Sequence, residues 1–446
     1  MNILKKFELN SSPDHSIGSI LFLGDTCTLN ISQVHLSPNN LTRVISKEML
    51  EQFKSSSFSV VNLEGPLTNV TNPIKKNGPH LLSYPETAGL LKNCGIKIAT
   101  IANNHILDHG QEGLEDTIKN CQKNGIAAIG AGNSFEKAHS PYIFKMNNLK
   151  LAFLAFTEKE FSTAGSSSSG AAEFFLPNVY QEIQKIRPKC SVLILCIHGG
   201  TMYYPIPNPN IQKYYRFLID AGADAVIASH PHTIQGIEIY KNAPIIYSLG
   251  TFLFPLKQKH PGCWDEGLIA KIIFGVNGIS ALEIYPCCQN GSIESTKVSL
   301  FSPEKTKNYR QTFERLCQIA ASENLVREFW ASFCKYKSSH YFDNVRMSAS
   351  SLKLSSWVKP LKRAIVNKDI SYAGDLMSEL FTKISFKKQL KEKKMLFFYN
   401  LIACPARCDV IITALENHIF GNPTSSDVEQ ELKELMVNCN VKTQKE

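Results

Sequence analysis

Ile101-Ala-Asn103-Asn104-His105-Ile-Leu-Asp108-His109-Gly110 is the stretch that decides how the chain folds. Before it, Ile96 to Ala102 is a largely apolar run with no helical period, long enough for one buried strand. After it, Gly110 and Gly113-Leu-Glu-Asp-Thr-Ile-Lys-Asn start a helix. Two side-chain amides and an imidazole therefore sit at the mouth of a strand, where open α/β sheets place their chemistry. Asn and His together can ligate a divalent metal and leave a second imidazole edge for proton transfer. Taken alone, the same residues read equally well as an Asn-rich turn with a capping role. The surrounding sequence decides between the two.

Working outward, the same grammar recurs: an apolar strand that ends in polar residues. Ile17 to Leu23 ends in Gly24-Asp25-Thr26, and Ser59 to Leu63 carries Asn62-Leu-Glu64-Gly-Pro66. Ser191 to Ile197 runs into His198-Gly-Gly200, and Ala223 to Ala228 into Ser229-His230-Pro-His232. Further strands are expected at Ile126 to Ile129, Leu149 to Phe156 and Ile245 to Tyr247. A closing pair, Leu268 to Phe274 and Ala281 to Tyr285, is joined through Asn277-Gly278. Ile211 to Ala221 is helical, and Ser162 to Gly170 is a Gly/Ser tract that reads as a mobile loop. Strands alternate with helices as far as about residue 300, which predicts an α/β core.

The period changes at Ser302-Pro303-Glu304, a helix start with Pro in the first turn. Helices are expected from there, near Asp369 to Thr382, Lys391 to Ala403 and Ser426 to Val437. The reading is therefore an α/β domain over 1–300 and an α-helical domain over 301–446, the latter without a chemical motif.

The residues at the strand ends are Asp25, Glu64, Asn104, His105, His198, His230 and His232. Carboxylates, an amide and imidazoles at successive strand ends are what a two-metal site needs, one carboxylate bridging the cations. His-x-His suits this because alternate residues of an extended segment point the same way. Mixed oxygen and nitrogen donors favour Mn, Fe or Zn over calcium.

These motifs, with Ala102-Asn-Asn-His105-x-x-Asp108-x-Gly110 and Tyr247-Ser-Leu-Gly250, resemble the CapA family over about residues 17–290. Its members are capsule-synthesis and poly-γ-glutamate-synthesis proteins with a calcineurin-like metallophosphoesterase fold. The resemblance implies an αββα sandwich, to which this chain adds a C-terminal helical domain. It implies Asp25, Glu64 and His232 at one metal, with Glu64 bridging to a second held by Asn104, His198 and His230. His105 matches the general acid of related phosphoesterases. Three positions depart from the pattern: Met202 where a Glu is common after His-Gly-Gly, Thr251 where Asn follows Ser-Leu-Gly, and Cys27 where calcineurin-type enzymes carry a His ligand. The activity implied is hydrolysis of a phosphoester or related bond in an anionic-polymer pathway. The alternative is a non-catalytic module that binds an anionic polymer such as poly-γ-glutamate or capsule polysaccharide.

Composition narrows the remainder. With 446 residues, 43% hydrophobic and 20% charged, the chain is an ordinary globular protein of about two domains. No apolar run spans a bilayer and no signal-peptide core is present, so the expected location is cytoplasmic, with room for peripheral membrane attachment. Thirteen cysteines without paired spacing read as reduced thiols, and Cys404-Pro-Ala-Arg-Cys408 is too short a signal for a zinc site. From Phe301 on, 23 basic side chains face 16 acidic ones, so +7 of the net +9 lies there. That tail is a candidate surface for capsule-synthesis machinery or an anionic membrane. No nucleic-acid partner is expected.

Overall fold

Gly18–Thr26, nine residues buried almost end to end, lies inside the larger of two sheets. The computed structural model describes residues 3–9, 16–37, 40–165, 168–256, 262–352, 404–420 and 424–438. In the larger sheet the order runs Lys5–Glu8, Gly278–Asn290, Glu266–Gly275, Gly18–Thr26, Phe58–Leu63, Ile96–Thr100, Ala127–Ile129. The last four are mutually parallel, whereas Glu266–Gly275 and Gly278–Asn290 form the expected antiparallel hairpin. Thr251–Leu253 also pairs with Gly18–Thr26, and Lys297–Leu300 pairs with Gly278–Asn290.

The second sheet is ordered Ile237–Tyr240, Ala243–Ile246, Ala225–Ser229, Val192–His198, Leu149–Thr157, Tyr142–Met146. Its central strands are buried on both faces, which explains their unbroken apolar runs. Along Val192–His198 the side chains alternate. Val192, Ile194 and Cys196 join the core shared with the larger sheet, while Leu193, Leu195 and Ile197 join a second core under helices. Phe153 meets Phe22 and Phe58 of the facing sheet with ring centroids 6.5 and 6.3 Å apart. Each such aromatic contributes about 1.5–3 kcal/mol by leaving water.

Helices close both sides. Val179 and Ile183 of Leu176–Ile186, with Tyr215 and Leu218 of Pro209–Asp220, pack on the second sheet. Lys47–Lys54, Thr87–Asn93 and Gly110–Lys123 pack on the first. The result is the αββα sandwich that the resemblance implied.

By packing, the described residues fall into two compact units. One takes in those of Met1–Ile74, Pro79–Arg327 and Gln430–Glu446, the other those of Lys75–Gly78 and Glu328–Glu429. The boundary expected at residue 300 thus falls inside the first unit. The helix Pro303–Ala321, capped by Ser302 Oγ accepting from Lys305 N at 3.1 Å, lies against the strand Ile237–Tyr240. Ile237 N donates to Cys317 Sγ (3.3 Å), and a Cβ on Gly236 would lie 2.2 Å from the Leu316 carbonyl oxygen. Within the second unit, Trp330 stacks on Phe333 and donates through Nε1 to Thr413 Oγ1 at 2.9 Å. The helices expected near Asp369 to Thr382 and Lys391 to Ala403 lie outside the described residues. Among the described residues no helix is long and apolar enough to cross a membrane.

Candidate metal centre

The parallel strands Gly18–Thr26, Phe58–Leu63, Ile96–Thr100, Val192–His198 and Ala225–Ser229 deliver polar residues at or just beyond their C-terminal ends, and the two sheets bring those ends together. The pairing of Gly18–Thr26 with Phe58–Leu63 slips between Leu23 and Asp25, a bulge that re-aims the aspartate. Gly24 is required there, since a Cβ would sit 2.1 Å from the Gly250 carbonyl oxygen. That oxygen accepts from Asp25 N at 3.0 Å.

Asp25 and Glu64 are fully buried. Asp25 Oδ1 accepts from Asn62 Nδ2 (2.7 Å), while Oδ2 accepts from His230 N (3.2 Å) and lies 3.0 Å from His232 Nδ1. Glu64 Oε1 is the hub of the cluster. It stands 3.6 Å from His232 Nε2, 3.8 Å from His105 Nε2 and 4.0 Å from His198 Nε2. Asp25, Glu64 and His232 each offer a ligand atom, all within 4.8 Å of one another. His198 Nε2 lies 3.0 Å from both Asn104 Oδ1 and His230 Nδ1, so Asn104, His198 and His230 adjoin one another, with His198 facing Glu64.

The backbone is bent to achieve this. His230 and His232 have φ of 106° and 51°, values that L residues rarely adopt and that cost of order 1–3 kcal/mol each. Pro231 between them stiffens the turn. One wall is aromatic: His232 packs on Trp264 (4.1 Å between centroids) and edge-on to Phe254.

Burial, and then the neighbouring imidazoles, holds His198 well below the ordinary histidine pKa. Burial likewise lowers His230 to about 4, against the opposing pull of Glu160 and Asp25. Both rings are therefore neutral at pH 7, the form in which an imidazole ligates a cation. Cys27 is fully buried. Burial pushes its thiol up to about 12, and Ser83 Oγ donates to its Sγ at 3.6 Å. Thr251 is fully buried and pairs in register with Asp25, and Met202 is partly buried beyond Gly200.

The residues are thus an oxygen- and nitrogen-rich, water-excluded set that fits a divalent cation. Its remaining members escaped the reading of strand ends one at a time. Asn62, two residues before Glu64 on an alternating strand, donates through Nδ2 to both Asp25 Oδ1 and His198 Nδ1 (3.0 Å). Asp108, one turn beyond His105, accepts at Oδ2 from His105 Nδ1 and from Leu81 N, each at 2.7 Å. Asn103 carries no ligand role: its Oδ1 accepts from Gly65 N and His105 N, tying the two strand ends together. Glu158 and Glu160 follow the strand Leu149–Thr157, so the strand-end rule applied to that strand would have found them. Glu158 Oε1 accepts from Gly200 N (2.9 Å), and Glu160 Oε2 accepts from Asn104 Nδ2 (3.0 Å). The Gly/Ser tract is anchored where it is described: Ser162 is buried, donates to the Asn104 carbonyl oxygen (2.7 Å) and accepts at its own carbonyl from Ala171 N (2.7 Å).

A sandwich of two mixed sheets with buried carboxylates and imidazoles between their strand ends has the build of a metallophosphoesterase-like fold. A family model described as "Bacterial capsule synthesis protein PGA_cap" matches residues 19–256, more than half of the chain, and the chain belongs to that family. It is 29% identical over 280 residues to the capsule biosynthesis protein CapA of Bacillus anthracis, covering 60% of this chain and 67% of that one. It is 31% identical over 211 residues to the PGA biosynthesis protein CapA of Bacillus subtilis, covering 45% and 54%. Among solved structures, a novel phosphatase from Mycoplasma pneumoniae aligns with a TM-score of 0.40 at 14% identity, covering 61% of this chain and 94% of that one. A 5'-nucleotidase from Candida albicans aligns with a TM-score of 0.34 at 10% identity, covering 71% and 58%.

Proposed function

We propose that this protein is a divalent-metal-dependent hydrolase of a phosphoester or related bond, working in the anionic-polymer pathway that its family serves. The observation that carries this reading is the position of Glu64 Oε1 between three imidazole nitrogens and beside the buried Asp25. The distances to His232 and His198, 3.6 and 4.0 Å, are too long for hydrogen bonds and suit ligands that share a cation. Asp25, Glu64 and His232 would hold one ion, with Glu64 shared with a second group of Asn104, His198 and His230. Mn, Fe or Zn suits this donor set. When bound, such an ion polarises a phosphoryl oxygen and activates water.

The chain's own residues supply the rest. His105 gives its Nδ1 proton to Asp108 Oδ2, which turns Nε2 toward Glu64 and the cluster. A protonated His105 in that pose can hand its Nε2 proton to a leaving oxygen. Asp108, itself pinned by Leu81 N, fixes the ring and stabilises its charged form. The basic residues after Phe301 are the proposed contact for capsule-synthesis machinery or an anionic membrane surface.

The test is elemental analysis of the purified full chain, with phosphomonoester and phosphodiester turnover before chelation, after it and after refilling with Mn²⁺, Fe²⁺ or Zn²⁺. Stoichiometric metal and turnover that follows it are expected. A metal-free protein would overturn the reading. Metal without turnover on any ester would leave polymer binding, measured with poly-γ-glutamate, as the role.

A further inference from the structure

An amide side chain can face a cation in two ways, and only one of them ligates. We propose that Glu160 is the positioning residue that holds the Asn104 amide with its oxygen, not its nitrogen, toward the cluster. The inference rests on the reading of Asn104 as a ligand and adds a residue that the strand-end motifs do not contain.

The argument is one of donors and acceptors. Asn104 Nδ2 donates to Glu160 Oε2 at 3.0 Å, while Oδ1 lies 3.0 Å from His198 Nε2. A carboxylate accepts only, so the reversed amide would set its oxygen against Glu160 and its NH₂ against the imidazoles. The backbone offers a similar hold: Ser162 Oγ donates to the Asn104 carbonyl oxygen and accepts from Leu107 N, locking the turn that carries the amide. Glu160 belongs to the same segment, three residues past the strand Leu149–Thr157. That segment therefore grips Asn104 at both its main chain and its side chain. Where the family commonly carries a carboxylate after His-Gly-Gly, this chain has Met202; Glu160 brings a carboxylate to the cluster from a different strand.

A hydrogen-bonded chain follows from these contacts. Thr100 Oγ1 donates to Asn62 Oδ1, and Asn62 Nδ2 donates to His198 Nδ1. His198 Nε2 lies 3.0 Å from Asn104 Oδ1, and Asn104 in turn donates to Glu160. Glu160 is the acceptor that terminates the series. Removing its acceptor-only character frees the last amide to turn.

The experiment is titration of the metal-stripped full chain with Mn²⁺ and with Zn²⁺, by calorimetry and by metal content after dialysis, for four proteins: wild type, Glu160→Gln, Asn104→Asp and the double variant. Glu160→Gln should weaken one of the bound equivalents roughly 10–100-fold, the size of effect expected of partners that orient metal ligands. In the Asn104→Asp background the same change should strengthen binding, because the introduced glutamine amide can donate to the outer oxygen of the new carboxylate where Glu160 repels it. This reversal of sign is the signature of orientation, and a merely structural role would not produce it. Equal metal binding by wild type and Glu160→Gln, or weakening in both backgrounds, would overturn the inference. A wild-type protein that binds no metal, or an Asn104→Ala variant that binds as wild type does, would instead overturn the reading of Asn104 on which it rests.

Discussion

The two sheets bring unlike chemistry to one place. From the larger come oxygens, in Asp25, Glu64 and the amide of Asn104; from the smaller come the nitrogens of His198, His230 and His232. His198 and His230, buried among apolar strands, shed their protons, while Asp25 retains hydrogen-bond donors in Asn62 and the His230 amide. Neither set is a cation site alone. The face-to-face packing of the sheets joins them, so the core and the chemistry are one structural problem.

His105 is the exception to this division, a nitrogen on the oxygen side, and it gives the sharpest test. His105→Asn should keep the metal and lower kcat by ~10²–10⁴ on an ester with a poor leaving group, and much less on an activated one. Equal losses on both would remove it from the proton-transfer role.

Taking one donor from each sheet tests the division itself. Glu64→Ala should deplete every bound equivalent, because Glu64 stands between both groups, whereas His198→Ala should deplete only one. Each affected affinity should fall by more than ~100-fold, since even indirect partners contribute that much. Metal content after dialysis reads both, and identical stoichiometry in the two variants would refute the shared role of Glu64.

Acid should act on the nitrogen side. His198 and His230 titrate lower in the fold than in the unfolded chain, so between pH 6.5 and about 4 the unfolded state binds more protons. Stability of the metal-free protein should therefore fall as pH drops through that window, by a few kcal/mol in order of magnitude. Urea melts at intervals of pH measure it, and a profile that does not flatten in His230→Asn would contradict the assignment.

The smallest effect concerns the bulge that aims Asp25. Gly24→Ala places a methyl group against the Gly250 carbonyl and should cost about 1–3 kcal/mol, read as a lower Tm.

Much of this site could be read from one rule, that an apolar run ending in polar residues is a buried strand with its chemistry at the tip. The rule works for Asp25, Glu64, Asn104, His198 and His230 because parallel strands are buried on both faces and leave little room for polar residues elsewhere. Applied to Leu149–Thr157 it reaches Glu160 as well, but Glu158-Lys-Glu160 looks like ordinary surface charge, and the fold alone brings Glu160 to Asn104. The edge strands Lys5–Glu8 and Tyr142–Met146 are short and alternate between exposed and partly buried residues, too weak a pattern to stand out. The helix after Ser302 was legible as a helix, but its place on Ile237–Tyr240 depends on Gly236, whose missing side chain carries no pattern.

The antiparallel pairing of Gly18–Thr26 with Glu266–Gly275 has a consequence for biosynthesis. The strand that carries Asp25 leaves the ribosome well before its neighbour on one side, which lies some 240 residues downstream. At ~5–20 residues per second, the wait is on the order of 12–50 s. Throughout that interval the strand lacks the partner that covers this edge, and an open apolar edge is a template for aggregation.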